Sequence, residues 1–126
     1  MSLPTDLLYS KEHEWVKIEG DVATVGITDF AQSSLGDITF VELPKLGAQV
    51  DQFANVGVIE SVKTVSDLYT PIGGEVIAVN NAIDGDPGAL NSDPYGAGWL
   101  LKIKMRAPSE SEQLLDAAAY AEIAHD

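Results

Sequence analysis

Short runs of β-branched and apolar residues, separated by turn-forming residues, follow one another through the first part of the chain. Residues 15–19 and 21–28 are two such runs, and Gly20 between them suits a tight reversal. The second run has apolar residues at a two-residue spacing, which places them on one face of a strand. The pattern therefore predicts a β-hairpin. The alternating apolar positions are Ala23, Val25 and Ile27.

Two segments carry the start and stop signals of helices. Asp29 is in the position of an N-cap with Gln32 three residues later, and Gly36 stands where a helix commonly ends, so a short helix is predicted after the hairpin. Ser109 and Glu112 form a capping box that follows Pro108 and precedes apolar residues, which predicts a closing helix. The apolar positions of that helix are Leu114, Leu115, Ala118 and Ala121.

The middle of the chain has mainly strand character. Pro and Gly punctuate its apolar runs, and the polar stretch 80–98 is predicted to be an ordered loop. From Trp99 to Met105 apolar residues alternate with lysines, which predicts a strand with one buried and one wet face. Many short strands with such turns are typical of a β-sandwich or barrel. The remaining predicted strands are 37–43, 56–60, 65–69 and 75–79.

The net charge of the chain limits the classes of molecule that it can bind. A length of 126 residues fits a single domain spanning 1–126, and the formal net charge is −13. Such a surface repels phosphate backbones and anionic lipids, so we expect neither nucleic acid nor a membrane as a partner. The first ten residues lack a secretory or mitochondrial targeting pattern. We therefore expect a cytoplasmic protein of a bacterium, or a mitochondrial matrix protein if the chain is a mature eukaryotic form.

The chain offers few groups for catalysis. It has no cysteine, so the polypeptide provides no disulfide and no thiolate. His13 and His125 have no neighbouring metal-ligand pattern, and Asp84 with Asp86 begins a calcium loop that is not completed. We predict no metal site and no catalytic residue.

One lysine lies in an unusual place. The extended segment 55–70 is longer than an ordinary strand and must bend, and Lys63 lies in its polar interruption. No Gly, Pro or Asn occurs near Lys63 to establish a turn. From these residues alone, Lys63 could be an ordinary exposed lysine.

A longer motif surrounds this lysine. It reads Glu60-Ser61-Val62-Lys63-Thr64-Val65-Ser66-Asp67-Leu68, followed by Pro71 and Gly74-Glu75-Val76. The motif resembles the lipoylation segment of the glycine cleavage system H-protein family. Similar segments occur in the same order elsewhere in the chain: His13-Glu14-Trp15-Val16, residues 26–32, 35–38 and 40–44, Val79-Asn80, Pro87 with Asn91, and residues 93–99.

This resemblance implies a fold and a cofactor. The expected fold is mainly β, a lipoyl/biotinyl-type β-sandwich (barrel-sandwich hybrid), with a short helix after the first hairpin and a C-terminal helix. Lys63 would carry lipoate in amide linkage on an exposed hairpin, and Glu60 and Gly74 match positions that lipoylating enzymes recognise. A biotin carrier normally places methionines around its lysine, whereas Val62 and Thr64 are the neighbours here.

The resemblance also implies a function. The chain would be a non-catalytic carrier that takes an aminomethyl group from glycine decarboxylase to the tetrahydrofolate-dependent aminomethyltransferase, and reducing equivalents to dihydrolipoamide dehydrogenase. A shuttle of this kind suits a monomer. By resemblance, Glu14 and Asp67 would face the cationic amine of the cargo. Glu12 is a further candidate for this role, but we favour its interpretation as a solvated surface residue.

Two other functions stay open. The chain could be a lipoyl relay or another lipoyl carrier that serves different enzymes. It could also be an acidic β-sandwich interaction module in which Lys63 is unmodified. The mass of the mature protein and its response to glycine distinguish the three.

Overall fold

A computed structural model describes residues 3–124, and most of its elements are strands. His125, considered above as a metal ligand, lies outside these residues. The strands are β1 (Leu8–Tyr9), β2 (Glu14–Glu19), β3 (Val22–Ile27), β4 (Ile38–Glu42), β5 (Gln49–Val50), β6 (Asn55–Ser61), β7 (Val65–Tyr69), β8 (Gly74–Val79) and β9 (Leu101–Met105). The helices are α1 (Asp29–Leu35), α2 (Ala82–Gly85), α3 (Ala89–Ser92), a 3₁₀ helix (Pro108–Gln113) and α4 (Ala117–Ala121).

The described strands form two antiparallel sheets that pack as a sandwich. The larger sheet has the order β1-β2-β3-β9-β8-β5, and the smaller has the order β4-β6-β7. Apolar side chains from both sheets fill the space between them, among them Val25, Ile59, Leu68 and Ile103. The structure confirms the predicted strands to within a few residues at their ends. These strands were predicted at 15–28, 37–43, 56–60, 65–69, 75–79 and 99–105. In the first hairpin, Gly20 has the positive φ of 64° that the tight reversal needs.

The short helix after the hairpin exists, but its cap is one residue earlier than predicted. Thr28 is the N-cap, and its hydroxyl accepts a hydrogen bond from the Ala31 N–H at 3.2 Å. Asp29 lies instead in the first turn, where its carboxylate accepts from the Gln32 side-chain amide at 2.7 Å. Both residues are good caps, and the backbone conformation of Thr28, not the sequence, decides between them. The predicted end at Gly36 is confirmed by its φ of 80°.

The predicted closing helix exists as α4, but it does not begin at the predicted capping box. The capping-box residues Ser109 and Glu112 lie in the 3₁₀ helix, whose N-cap residue makes no side-chain hydrogen bond to it. Leu115 then pairs with Tyr9 through two backbone hydrogen bonds of 2.8 and 2.7 Å, which breaks the helical pattern. Asp116 begins α4 by accepting from the Ala119 N–H at 2.8 Å. A long-range backbone pairing has overridden local helix propensity.

The predicted loop 80–98 also contains more regular structure than expected. The helices α2 and α3 have four residues each, too few for a periodic apolar pattern to reveal them. They are held by burial of Ile83, Ala89 and Leu90 against the main core. Within residues 3–124, none of the helices is long and apolar enough to cross a membrane.

Candidate functional site

Lys63 lies at the tip of the hairpin that joins β6 to β7. The Ser61 N–H donates to the Thr64 carbonyl at 2.8 Å, which closes the turn. The Ser61 hydroxyl also accepts from the N–H groups of Lys63 and Thr64, at 3.3 and 3.2 Å. This side-chain turn supplies the reversal for which the sequence has no Gly, Pro or Asn. The Lys63 side chain is exposed.

The hairpin tip is anchored on the end of α1. The Val62 N–H donates to the Asp37 carbonyl at 3.0 Å. The aliphatic part of the Lys63 side chain lies over Gly36, because a Cβ built on Gly36 would be 3.6 Å from Lys63 Cε. The lysine stem therefore rests on the backbone that ends α1.

A cleft of about 320 Å³ begins beside this position. Leu35 and Ser34 on one wall immediately precede Gly36, and Ser66 on β7 is three residues from Lys63. His13 and Phe30 belong to the same lining, with ring centroids 4.7 Å apart and ring planes tilted by 37°. The cleft thus lies along α1, between that helix and the strand that follows the Lys63 hairpin. The complete lining is Glu12, His13, Phe30, Ala31, Ser34, Leu35 and Ser66.

A second cavity, of about 500 Å³, adjoins the first. Glu12 lines both cavities, although the sequence favoured a solvated role for it. The lining of the second cavity is Ser10, Lys11, Glu12, Phe53, Tyr69 and Gln113.

Glu14 is almost fully buried, with 3% of its surface exposed. The Ser10 hydroxyl and the Tyr69 backbone N–H both donate to its carboxyl group. Burial raises the pKa of Glu14 to about 8, and the Glu12 charge adds to the rise while the two hydrogen bonds oppose it. Because β2 is in the larger sheet and β7 in the smaller, Glu14 joins the two sheets at this point.

Asp67 lies on the exposed side of β7, and the Tyr69 hydroxyl donates to its carboxylate at 3.4 Å. The pKa of Tyr69 is raised mainly by the Asp67 charge, with smaller contributions from the charges of Glu12 and Glu14. Three carboxylates therefore act on one phenol, and the structure brings together the acidic residues that the sequence singled out. Tyr69 itself was missed, because the sequence presents it only as the last residue of a strand.

The two residues expected to serve lipoylating enzymes lie in different places. Glu60 is half-buried on β6, in register with Phe40 on one side and Val65 on the other, and is close to the hairpin tip. Gly74 is buried at the start of β8, beyond the end of β7 that is remote from Lys63. A Cβ on Gly74 would be 2.0 Å from the Lys104 carbonyl oxygen. Close packing of two strands is therefore sufficient to require glycine there.

We expect Gly74→Ala to lower the free energy of unfolding by about 2–3 kcal/mol, because two backbones must separate and φ is +150° at this residue. Urea unfolding measures the loss. The control is Gly85→Ala, since nothing lies within 4 Å of a Cβ there and a stability close to wild type is expected. Equal stability of the two variants would contradict the packing argument.

His13 does not belong to a metal site in the described part of the chain. Among residues 3–124 there is no group of three or more His, Cys, Asp or Glu side chains able to hold a metal ion. The His13 Nδ1 atom is instead 2.8 Å from the hydroxyl of Tyr120, which is also 2.7 Å from the Thr28 hydroxyl. This network holds one wall of the cleft against α4.

Nearly the whole chain matches one known family. The sequence model described as glycine cleavage H-protein matches residues 7–126. The chain belongs to the glycine cleavage H-protein family. Its members are lipoyl carriers of the glycine cleavage system, so the chain is a carrier protein and not a catalyst.

Individual relatives are similar in sequence to this chain over almost their full length. The chain is 55% identical over 119 residues to the glycine cleavage system H protein of Symbiobacterium thermophilum, covering 94% of the chain and 93% of the relative. It is 53% identical to that of Methylacidiphilum infernorum, covering 100% and 98%. The crystal structure of an H protein from Mycobacterium marinum superposes with a TM-score of 0.87 at 43% identity, covering 95% of this chain and 97% of that one. The expected two-sheet fold is thereby confirmed.

Proposed function

We propose that Lys63 carries lipoate in amide linkage and that the chain moves an aminomethyl group between the enzymes of the glycine cleavage system. The observation that carries this proposal is the position of Lys63, exposed at a hairpin tip with its stem over Gly36, next to the α1 residues that line a cleft. A tethered group reaches each partner at a raised effective concentration, provided that its anchor projects from a rigid element.

The residues of the cleft fit a lipoyl group. Amide formation removes the lysine charge, so the extended side chain can lie against apolar groups. Phe30, Ala31 and Leu35 supply such groups along the cleft, and Ser66 supplies a polar one beside the hairpin. When bound, lipoate contributes a disulfide that accepts the aminomethyl group and electrons. The cleft residues hold the group and limit the access of water.

The carboxylates around Tyr69 suit a cationic amine. We assign Glu14 and Asp67 to this role, and Glu12 joins them because it lines both cavities. A positive charge arriving near the buried Glu14 carboxyl would favour its ionised form and lower its pKa from about 8. Glu14 would therefore release a proton as the cargo arrives.

The partners follow from this role. They are the glycine decarboxylase, the aminomethyltransferase and the dihydrolipoamide dehydrogenase, together with the lipoylating enzymes. Glu60 is near enough to the tip of the hairpin for a lipoylating enzyme to contact it together with Lys63. Gly74 affects this recognition only indirectly, through the packing of β8. We further propose a monomeric single-domain protein in the bacterial cytoplasm, since the relatives described above are bacterial.

The test uses the absence of cysteine from the chain, because every thiol in the holoprotein must then belong to lipoate. With glycine decarboxylase and glycine, a thiol reagent should detect about one new thiol per chain, and none without glycine. A lipoylated protein that gains no thiol would be a carrier for other enzymes. A protein without the lipoyl mass would be an unmodified interaction module.

A further inference from the structure

The side chain of Asn91 in α3 is hydrogen-bonded to three points at the end of α1. Its Nδ2 donates to the Gly36 carbonyl at 2.8 Å and to Gln32 Oε1 at 3.0 Å. Its Oδ1 accepts from the Ile38 N–H at 2.9 Å. Both N–H groups and the carbonyl of the amide are thus engaged in holding the residues around one turn.

The same turn supports the lysine hairpin. Asn91 holds Gly36 and Ile38, and Asp37 between them accepts the Val62 N–H at 3.0 Å. The Lys63 stem rests on Gly36. A short contact path therefore runs from Asn91 through residues 36–38 to the lysine.

The α1 helix depends on such polar ties for its position. It has seven residues, all of which remain partly exposed, and an apolar face that only partly packs against the core. The Gln32 side chain spans from Asp29 at 2.7 Å to Asn91 at 3.0 Å, so Asn91 is linked to both ends of the helix. Since α1 forms one wall of the cleft, a shift of the helix would change both the cleft and the support of the lysine.

We propose that Asn91 is a positioning residue for the lipoyl arm: it fixes the end of α1 as a seat that directs the Lys63 side chain into the cleft. This inference rests on the proposed attachment of lipoate to Lys63. A lysine side chain has many rotamers in solvent, and an immobile surface beneath its stem restricts them to those that enter the cleft.

The experiment measures how well the arm is sheltered. In reduced holoprotein the arm carries the only thiols, because the chain has no cysteine. The rate of their alkylation by iodoacetamide is compared with that of free dihydrolipoamide. We expect slow alkylation in the wild type and a rise of roughly five-fold in Asn91→Ala, as the population of seated arms falls.

Asn80→Ala is the matched control. The Asn80 side chain also donates to two carbonyls, those of Ala97 and Trp99 at 2.9 and 2.8 Å, and accepts from the Ala82 N–H at 3.2 Å. Its loss should lower the melting temperature by a similar amount without changing the alkylation rate. If Asn91→Ala does not fold, Gln32→Ala removes one of the three hydrogen bonds of Asn91, together with the Gln32–Asp29 bond, and should raise the rate by a smaller factor.

The outcomes separate the two proposals. A missing lipoyl mass on the wild type overturns the proposed function and the seat together. With the mass present, the seat alone is overturned if the wild-type arm reacts as fast as free dihydrolipoamide, if Asn91→Ala leaves the rate unchanged, or if both asparagine variants raise it equally. An unchanged rate in Gln32→Ala overturns it when Asn91→Ala cannot be measured.

Discussion

Lys63→Arg is expected to remove lipoylation and carrier function completely while leaving the fold intact. Arginine keeps a positive charge and a long stem, but its guanidinium remains protonated and does not form the amide. Because Lys63 is exposed at a turn closed by Ser61, the free energy of unfolding should change by less than about 0.5 kcal/mol. Intact mass and the glycine-dependent thiol titration measure the loss.

Lys45→Arg is the control for this result. Lys45 is also exposed and lies in the connection between β4 and β5, away from the hairpin. That variant should carry the same lipoyl mass as the wild type and gain the same thiol with glycine. Attachment at this position would be refuted if Lys63→Arg still gained the lipoyl mass. It would also be refuted if Lys63→Arg gained thiols with glycine although it carried no lipoyl mass.

Alternation of apolar residues was sufficient to predict the strands. In β3, Ala23, Val25 and Ile27 lie on the buried face as their spacing requires. Local signals were less reliable at helix ends, where Thr28 and Asp29 are adjacent and both can cap. The capping box at Ser109 failed because the pairing of Leu115 with Tyr9 depends on a residue about a hundred positions earlier. Sequence patterns record local preference, and such distant pairings decide between local alternatives.

In the site, too, the sequence reveals local features, and only the tertiary structure reveals which distant residues meet. The motif around Lys63 was recognisable as a resemblance, but its turn depends on four hydrogen bonds of Ser61 that no turn propensity reveals. Glu12 and Glu14 precede and begin β2, whereas Asp67 and Tyr69 belong to β7 in the other sheet. Only the packing of the two sheets brings these four side chains together. Their charges and burial, and hence their chemistry, could not be assigned before that packing was known.

Glu14→Gln is expected to stabilise the protein at alkaline pH. The pKa of Glu14 is raised from 4.5 to about 8 in the folded protein, so between these values the folded state keeps a proton that the unfolded state has lost. The free energy of unfolding therefore falls as pH rises through this window, and the fall ends above pH 8. At about 1.4 kcal/mol per pKa unit, the accumulated penalty is roughly 3–5 kcal/mol. Glutamine has a similar shape and no charge, so it avoids this penalty.

The measurement is urea unfolding of wild type and Glu14→Gln from about pH 5 to pH 9, taken as a difference so that groups common to both proteins, including His13, cancel. The stability of Glu14→Gln relative to wild type should rise steadily with pH and level off above pH 8. Glu19→Gln, at the exposed far end of the same strand, removes an equal charge and should give a nearly flat difference. A flat difference for Glu14→Gln as well would mean that the carboxyl is ionised in the folded protein, with Ser10 and the Tyr69 N–H compensating its burial fully. In that case Glu14 would meet the cationic cargo already charged, and no proton would be released when the cargo arrives.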